Sequence, residues 1–274
     1  LMAATASVRE LLVEEGKLRE LVISIVKASG SEQGEAEVVA DHLVGANLRG
    51  HDSHGIQMLQ LYLHHIKSGH LRPNEQGKLL RDDSAFLVFD GDLGYGQCVA
   101  KHATELAIAR AKEQGLAVLA LRNAHHIGRV GTYGEQCASQ GLVSLSFVNV
   151  VGHRPYVAPY GGKDGRYATN PICIAIPPTD KTKMFLLDMA TSATAYGKVQ
   201  IAHAKGQKMP SACLLDPEGK PTDDTSCMVP AIKGAMLPIA HHKGSPPVTQ
   251  SYTTTKGLRL NKALLCRAVT ITGA

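Results

Sequence analysis

The chain has 274 residues, of which 29 are basic and 24 are acidic, and its net charge of +5 is spread along the whole sequence. A hydrophobic content of 44% is enough for a folded core, and the absence of Trp argues against an aromatic platform for nucleic acid. The six cysteines show no CxxC pair, and neither a membrane span nor a signal-peptide pattern is seen. We therefore expect a cytoplasmic protein with neither a nucleic-acid nor a membrane partner.

Residues 1–75 are predicted to form a small helical subdomain. Apolar residues at helical spacing indicate a first helix over 17–29. Ser31 is placed to cap a second helix that runs to Asn47, and a third helix ends at Gly69. No strand pattern interrupts these three helices.

Short strands alternating with helices follow this helical part. This alternation predicts an α/β layer arrangement, which we assign to a domain over residues 76–244. Strands are expected at 85–89, 116–121, 142–150, 172–176 and 184–187, and helices at 98–113 and 132–139. Residues 245–274 begin with two prolines soon after Gly244 and show no clear periodicity, so we set them apart as an atypical tail to which no structure is assigned.

The first histidine cluster reads His51-Asp52-Ser53-His54-Gly55. Ser53 is placed to cap the third helix, which would set His54 on the first turn, where the helix dipole attracts anions. A plain cap followed by a surface histidine explains these residues equally well. The spacing of His51 and His54 also suggests half a zinc site, but zinc needs three or four ligands and only Asp52 is near, so we expect no metal.

The second cluster reads Asn123-Ala124-His125-His126-Ile127-Gly128 and follows a buried strand. Ligands of α/β proteins usually bind at the carboxyl ends of strands, and histidine changes protonation near neutral pH. These two facts favour His126 as a residue that moves a proton, although a loop histidine satisfied by backbone groups remains the alternative. A Rossmann dinucleotide site is not indicated, because the glycines at 91, 94 and 96 lack the required spacing.

Taken together, segments along the chain resemble the malate/L-lactate dehydrogenase family, which is distinct from the Rossmann-type dehydrogenases. The resemblance runs from about Leu18 to Gly244, with its motifs in a fixed order. These motifs are Asp52-Ser53-His54-Gly55, Asn123-Ala124-His125-His126-Ile127-Gly128, Ala158-Pro159-Tyr160-Gly161-Gly162, Thr169-Asn170-Pro171, Asp188-Met189-Ala190-Thr191-Ser192, Gly197-Lys198, Leu237-Pro238 and His242-Lys243-Gly244.

The resemblance implies a non-Rossmann α/β fold of the L-sulfolactate/malate dehydrogenase type with an N-terminal helical subdomain. It also implies a homodimer that uses NAD or NADP to interconvert a small 2-hydroxy acid and the corresponding 2-oxo acid. The sequence does not decide between the two cofactors, because no acidic residue that would read the ribose is identified.

Roles carry over to this chain by matching position. His126 would exchange the proton with the substrate oxygen, while His54 and Ser53 would lie against cofactor and substrate. Thr169 and Met58 are the implied substrate contacts. The implied cofactor contacts are His54, Gly128, Arg129, Val130, Asp188, Met189, Ala190, His242 and Lys243.

The chain departs from the family pattern in two places. Many members carry an Arg that binds the substrate carboxylate at the position where this chain has Met58. The hydroxycarboxylate dehydrogenase B subgroup also has an apolar residue at this position. An apolar residue there suggests a bulkier 2-oxo acid, for example an aromatic one. The second departure begins after Gly244. We hypothesise a frameshifted or alternatively spliced tail, which would leave the nicotinamide site incomplete and apolar surface exposed.

Two other functions compete with the dehydrogenase. One is a truncated, catalytically impaired family member that acts as a scaffold or binding protein. The other is a metal-dependent hydrolase or lyase that uses His51 and His54 and would require bound zinc.

Overall fold

The computed structural model describes residues 12–152 and 154–241, together with the backbone of the strand at 265–273. Three helices form the N-terminal part: α1 (Glu15–Ala28), α2 (Gln33–Leu48) and α3 (Leu59–Lys67). Two 3-10 turns, Asp52–His54 and Ile56–Met58, lie between α2 and α3. The core of this helical unit is apolar and fully buried, and it contains Val22, Val26, Val39, Leu43, Tyr62, Leu71 and Tyr95.

Both predicted helix caps are wrong. α2 is preceded by Glu32 rather than Ser31, and it has no side-chain cap. Ser53 does not cap α3, because the chain forms two short turns separated by the extended residue Gly55 (φ −89°, ψ −154°) before α3 begins. The side chain of Asn47 holds this arrangement by accepting a hydrogen bond from the N–H of Ile56 at 2.9 Å. A Cβ on Gly55 would overlap Asn47, so this close approach requires glycine.

A seven-stranded sheet forms the centre of the α/β part, in the order β1-β2-β3-β10-β4-β5-β6. Its strands are β1 (Lys78–Asp83), β2 (Phe86–Asp90), β3 (Leu116–Ala124), β4 (Val143–Val151), β5 (Ile172–Ile176), β6 (Phe185–Met189) and β10 (Leu265–Gly273). β2 and β3 pair in parallel, whereas every other pair of neighbours is antiparallel. The α/β class is therefore correct, although the sheet is mostly antiparallel.

Helices α4 (Gly96–Gln114) and α5 (Gly131–Ala138) pack on one face of this sheet. The burial of strand residues alternates accordingly: along β3, Ala117, Leu119 and Leu121 are buried, whereas Val118 and Ala120 between them are only half-buried. This alternation is typical of a sheet with one face packed against helices.

A smaller unit is formed mainly by residues that lie between β6 and β10 in the chain. It contains α6 (Tyr196–Ala204), a 3-10 turn (Thr225–Cys227) and a three-stranded sheet in the order β8-β7-β9. Its strands are β7 (Leu214–Leu215), β8 (Pro221–Thr222) and β9 (Ala235–Met236). Its apolar core includes Val157, Val199, Leu214, Met228 and Met236. Within the part of the chain that the structure describes, no helix is long and apolar enough to span a bilayer.

The strand β10 is the largest difference from the sequence-based expectation. The sequence pattern assigned no structure after residue 244, yet 265–273 pair antiparallel with both β3 and β4 in the middle of the sheet. The sequence of these nine residues alone does not predict a strand, because the run has no adjacent turn motif and is too short for a clear periodic pattern. The strand is defined instead by its pairing with distant parts of the chain.

Candidate active site

His126 lies in the loop that follows β3, at one end of the seven-stranded sheet. β3 ends at Ala124, and the N–H of His125 then donates to the carbonyl of Gly94 at 3.2 Å. Gly96, the first residue of α4, packs directly against the carbonyl oxygens of His125 and His126, where a Cβ would overlap both. The start of α4 therefore fixes the position of this loop, and only glycine fits at residue 96 between the two segments.

The imidazole of His126 is connected to the helical unit through a short polar chain. Its Nδ1 lies 2.8 Å from the hydroxyl of Tyr62, and the side-chain amide of Gln97 donates to that hydroxyl at 2.6 Å. Tyr62 and Gln97 are fully buried, whereas His126 keeps part of its surface exposed. The ring is thus anchored through Nδ1, while the residue as a whole stays partly exposed.

His54 lies directly beside His126, although it comes from the other cluster. The two rings are stacked with centroids 5.4 Å apart and an interplanar angle of 26°. Nδ1 of His54 lies 2.9 Å from the hydroxyl of Ser53, and the start of α6 packs on Ser53 through Gly197. The structure therefore brings together Ser53, His54 and His126, the three residues to which the sequence analysis assigned catalytic roles.

Burial and neighbouring charge keep both histidines neutral. Burial lowers the pKa of His126 well below its usual value, and the nearby His54 lowers it further. The pKa of His54 is also lowered by burial, while the carboxylate of Asp188 acts in the opposite direction. A neutral imidazole has a free lone pair, so this site can accept a proton at neutral pH.

Asp188, the residue before the last of β6, lies beside the segment that follows His126. Its carboxylate accepts a hydrogen bond from the N–H of Gly131 at 2.7 Å and so caps the start of α5. Arg129, in contrast, turns its guanidinium into the protein, where it is 6% exposed and pairs with Glu135 at 2.9 Å. The backbone N–H of Arg129 donates to Nε2 of His42 at 2.8 Å. A ligand can therefore meet Asp188, whereas the side chain of Arg129 is engaged elsewhere.

The remaining assigned residues divide into accessible and buried ones. Met189, Ala190 and Thr169 are half-buried, and the carbonyl of Thr169 accepts from the N–H of Thr191 at 2.8 Å, which joins two of the predicted segments. Val130 is buried in the core under the sheet. Any contact that Val130 makes to a ligand would have to come from its backbone.

Met58 is half-buried and packs on the apolar core of the helical unit. Gly128 has a positive φ of 71° and lies against the ring of His42. His242 and Lys243, the last two residues assigned to the cofactor, lie outside the described residues.

Sequence reasoning missed three polar residues near His126: Tyr62, Gln97 and His42. Tyr62 sits among the apolar residues of α3, so its pattern indicates only a core position. Gln97 and His42 lie inside helices and are buried. A buried polar residue needs a hydrogen-bond partner, but the sequence does not say which one it finds.

The other histidines of the two clusters occupy different surroundings. His51 is half-buried, and its ring meets that of His54 edge-on at 6.5 Å. His125 is fully buried, and its Nε2 lies 2.6 Å from Nδ1 of His65. Among the described residues, no group of three or more His, Cys, Asp or Glu side chains is arranged to hold a metal ion.

A sequence model described as malate/L-lactate dehydrogenase matches residues 13–247, which is most of the chain. The chain belongs to the malate/L-lactate dehydrogenase family. This confirms the family predicted from the motifs that carry Ser53, His54 and His126.

Curated members of this family are similar to the chain over most of its length. Hydroxycarboxylate dehydrogenase B of Escherichia coli is 45% identical over 227 residues, which are 83% of this chain and 62% of that protein. L-Lactate dehydrogenase of Cupriavidus necator is 38% identical, with 82% and 65% covered. L-Sulfolactate dehydrogenase of Methanocaldococcus jannaschii is 40% identical, with 82% and 63% covered. The chain therefore spans less than two thirds of the length of each of these relatives.

Solved structures of the family share the fold. Sulfolactate dehydrogenase from Methanocaldococcus jannaschii superposes with a TM-score of 0.80 at 33% identity, covering 96% of this chain and 78% of that one. Malate dehydrogenase from Pyrococcus horikoshii gives a TM-score of 0.78 at 28% identity, with 96% and 75% covered. The predicted non-Rossmann sulfolactate/malate dehydrogenase-like fold is thus confirmed.

Proposed function

We propose that this protein is an NAD- or NADP-dependent oxidoreductase that interconverts a 2-hydroxy acid and a 2-oxo acid. The observation that carries the proposal is the position of His126, which is anchored through Nδ1, stacked on His54 and partly exposed. Relatives named as hydroxycarboxylate, lactate and sulfolactate dehydrogenases support the same reaction class.

Oxidation of an alcohol to a ketone releases a hydride from the carbon and a proton from the oxygen bonded to it, so the two need separate acceptors. NAD(P), when bound, accepts or supplies the hydride. In the oxidative direction, neutral His126 takes the proton of the substrate hydroxyl at Nε2. In the reductive direction the same nitrogen returns it, and the negative charge of the bound carboxylic acid favours the imidazolium that this step requires.

The residues at the site fit a dinucleotide in part. His54, Asp188, Met189 and Ala190 are each partly exposed, and we assign them to the cofactor. The segment 128–130 would contribute through its backbone, because the side chains of Arg129 and Val130 are buried.

We further propose that the substrate is a bulky 2-oxo acid, for example an aromatic one. Met58 presents no charge to a carboxylate, and its partly exposed side chain offers apolar contact instead. Thr169 is the polar contact that we assign to the substrate.

We also propose that the chain divides into a helical subdomain (1–75), an α/β domain (76–244) and an atypical tail (245–274).

We further propose that the protein forms a homodimer, which is supported by the face of the seven-stranded sheet opposite α4 and α5. Exposed apolar side chains lie on that face at one end of the sheet, namely Phe86, Leu116, Val143, Ile176 and Phe185. A second copy of the chain would bury such a surface.

The experiment that tests the function is a panel of NADH and NADPH against several 2-oxo acids, read by cofactor absorbance. We expect oxidation of at least one cofactor, faster with phenylpyruvate than with oxaloacetate. A parallel fluorescence titration measures cofactor binding by itself. Cofactor binding without turnover on any substrate would contradict the proposed enzyme and favour a binding protein.

A further inference from the structure

Tyr62 joins the candidate active site to the core of the helical unit. It lies within α3, is fully buried, and packs edge-on against Tyr95 with ring centroids 5.8 Å apart. Its hydroxyl nevertheless lies 2.8 Å from Nδ1 of His126. A buried tyrosine hydroxyl needs a polar partner, and here that partner is the histidine to which we assign the proton.

Gln97 holds the same hydroxyl from α4. It follows Gly96 in the first turn of that helix, and its side chain is fully buried. Its Nε2 donates to the hydroxyl of Tyr62 at 2.6 Å. The hydroxyl is therefore fixed between two partners, one on α4 and one on the loop after β3.

We propose that Tyr62 is a positioning residue that holds Nδ1 of His126, so that only Nε2 exchanges a proton with the substrate; this inference rests on the function proposed above. Exchange at Nε2 requires the proton of the neutral ring to lie on Nδ1, so the hydroxyl of Tyr62 accepts a hydrogen bond from Nδ1–H in both the neutral ring and the imidazolium. Among the described residues, Nε2 of His126 has no hydrogen-bond partner. The ring orientation is thus kept while the ring charge changes.

Other titratable groups surround this ring without holding it. They are His42 on α2, His54 in the first 3-10 turn, His65 on α3 and His125 in the same loop. Each of them disfavours the protonated form of His126. Of the described side chains, Tyr62 alone forms a hydrogen bond to the ring, so it is the one that can steady the imidazolium.

The test compares Tyr62→Phe with Tyr95→Phe in the full chain. Both changes remove one hydroxyl from the same buried core, but only the first removes a partner of His126. With ¹⁵N-labelled histidine, two-bond ¹H–¹⁵N correlation spectra report the hydrogen bonding of each ring nitrogen. We expect Y62F to move the Nδ1 resonance of His126, and Y95F to leave it in place.

Kinetics provide a second readout. Y62F is expected to lower kcat by about 10- to 100-fold with little change in KM, because a loosely held ring is misaligned for proton transfer. The pH at which kcat changes should fall, since the imidazolium loses a hydrogen-bond acceptor and the pKa of His126 drops. Y95F should alter neither quantity. Gln97→Met removes the amide that anchors Tyr62. It should lower kcat and the pH at which kcat changes, each by less than Y62F does.

An Nδ1 resonance that is unchanged in Y62F, or that moves equally in Y95F, would overturn the positioning role. So would wild-type kcat and an unchanged pH profile in Y62F, and these would leave the dehydrogenase proposal standing. A moved resonance in a protein that turns over no 2-oxo acid would have the opposite meaning: it supports the hydrogen bond and refutes the proposed function. If Y62F does not fold, the Q97M spectra decide by the same criterion.

Discussion

The imidazole rings of His54 and His126 are stacked, with centroids 5.4 Å apart and an interplanar angle of 26°. Two positive charges this close repel each other, and burial adds to the cost of each, so the pair takes up at most one proton at moderate pH. The carboxylate of Asp188 opposes the effect of burial on the pKa of His54. A proton on His54 therefore disfavours a proton on His126.

Replacing His126 by Asn removes the group to which we assign the proton. We expect kcat for reduction of the 2-oxo acid to fall by about 10²- to 10⁴-fold, the usual contribution of a positioned acid–base group, with a small change in KM. Cofactor absorbance measures both constants. His51→Asn is the control, because His51 belongs to the other cluster and only its ring edge approaches His54. Near-normal kcat in H126N would remove His126 from the mechanism.

Gly96→Ala should displace the loop that carries His126. An added methyl group at Gly96 would overlap the carbonyl oxygens of His125 and His126, and backbone carbonyls cannot turn aside as a side chain can. We expect both lower thermal stability and lower kcat, measured by thermal unfolding and by the reductase assay.

Gly34→Ala is the matched control for this change. Gly34 lies in α2, and no atom lies within 4 Å of an added Cβ. Alanine is favoured over glycine inside helices, so G34A should stabilise the protein by up to about 1 kcal/mol and leave kcat unchanged. Equal behaviour of the two variants would contradict the tight packing of α4 against the loop.

Mild acid should destabilise the fold, and His42 and His125 are two of the buried histidines responsible. Burial lowers the pKa of each to about 3, with smaller contributions from His54 at His42 and from His65 at His125. Below the unfolded pKa of about 6.5, the unfolded chain binds protons that these buried rings do not bind, so the free energy of unfolding falls as pH falls. The loss continues until the pH reaches the folded values near 3.

The size of this effect can be measured by urea unfolding. Between about pH 7 and about pH 5, each of the two histidines should cost about 2 kcal/mol of stability. His42→Gln is the informative variant, because glutamine can still accept from the N–H of Arg129 but does not titrate. A pH dependence that is as steep in H42Q as in the wild type would show that His42 is not involved.

Met58→Arg should change which acids the enzyme prefers. A guanidinium at this position can form a bidentate ion pair with a second carboxylate, which favours dicarboxylic 2-oxo acids such as oxaloacetate. We expect the ratio of kcat/KM for oxaloacetate over phenylpyruvate to rise about tenfold or more. Met58→Leu keeps the apolar contact and should leave the ratio near its wild-type value. An unchanged ratio in M58R would mean that Met58 does not contact the substrate.

Local patterns in the sequence predicted much of the fold. The helix pattern of residues 17–29 and the apolar run at 116–121 lie within α1 and β3 or within one residue of them, because amphipathic spacing reflects which side chains are buried. The same patterns located His126 at a strand end.

Long-range contacts account for what the sequence did not predict. Ser53 matches a helix cap by residue type, but the hydrogen bonds of Asn47 impose two separate turns and delay α3 to Leu59. The contact of Tyr62 with His126 bridges 64 positions of the chain. Periodicity describes neighbours in sequence, so it cannot identify a partner on another element.

The middle position of the large sheet is filled by β10, between β3 and β4. These two strands occur much earlier in the sequence, so during synthesis they emerge from the ribosome before the segment that must pair with both. Contacts between such distant segments make folding slow, since a large loop must close before the new ladder is gained. The loop that carries His126 directly follows β3. The strand before this loop is therefore fully paired only after residues 265–273 have inserted between β3 and β4.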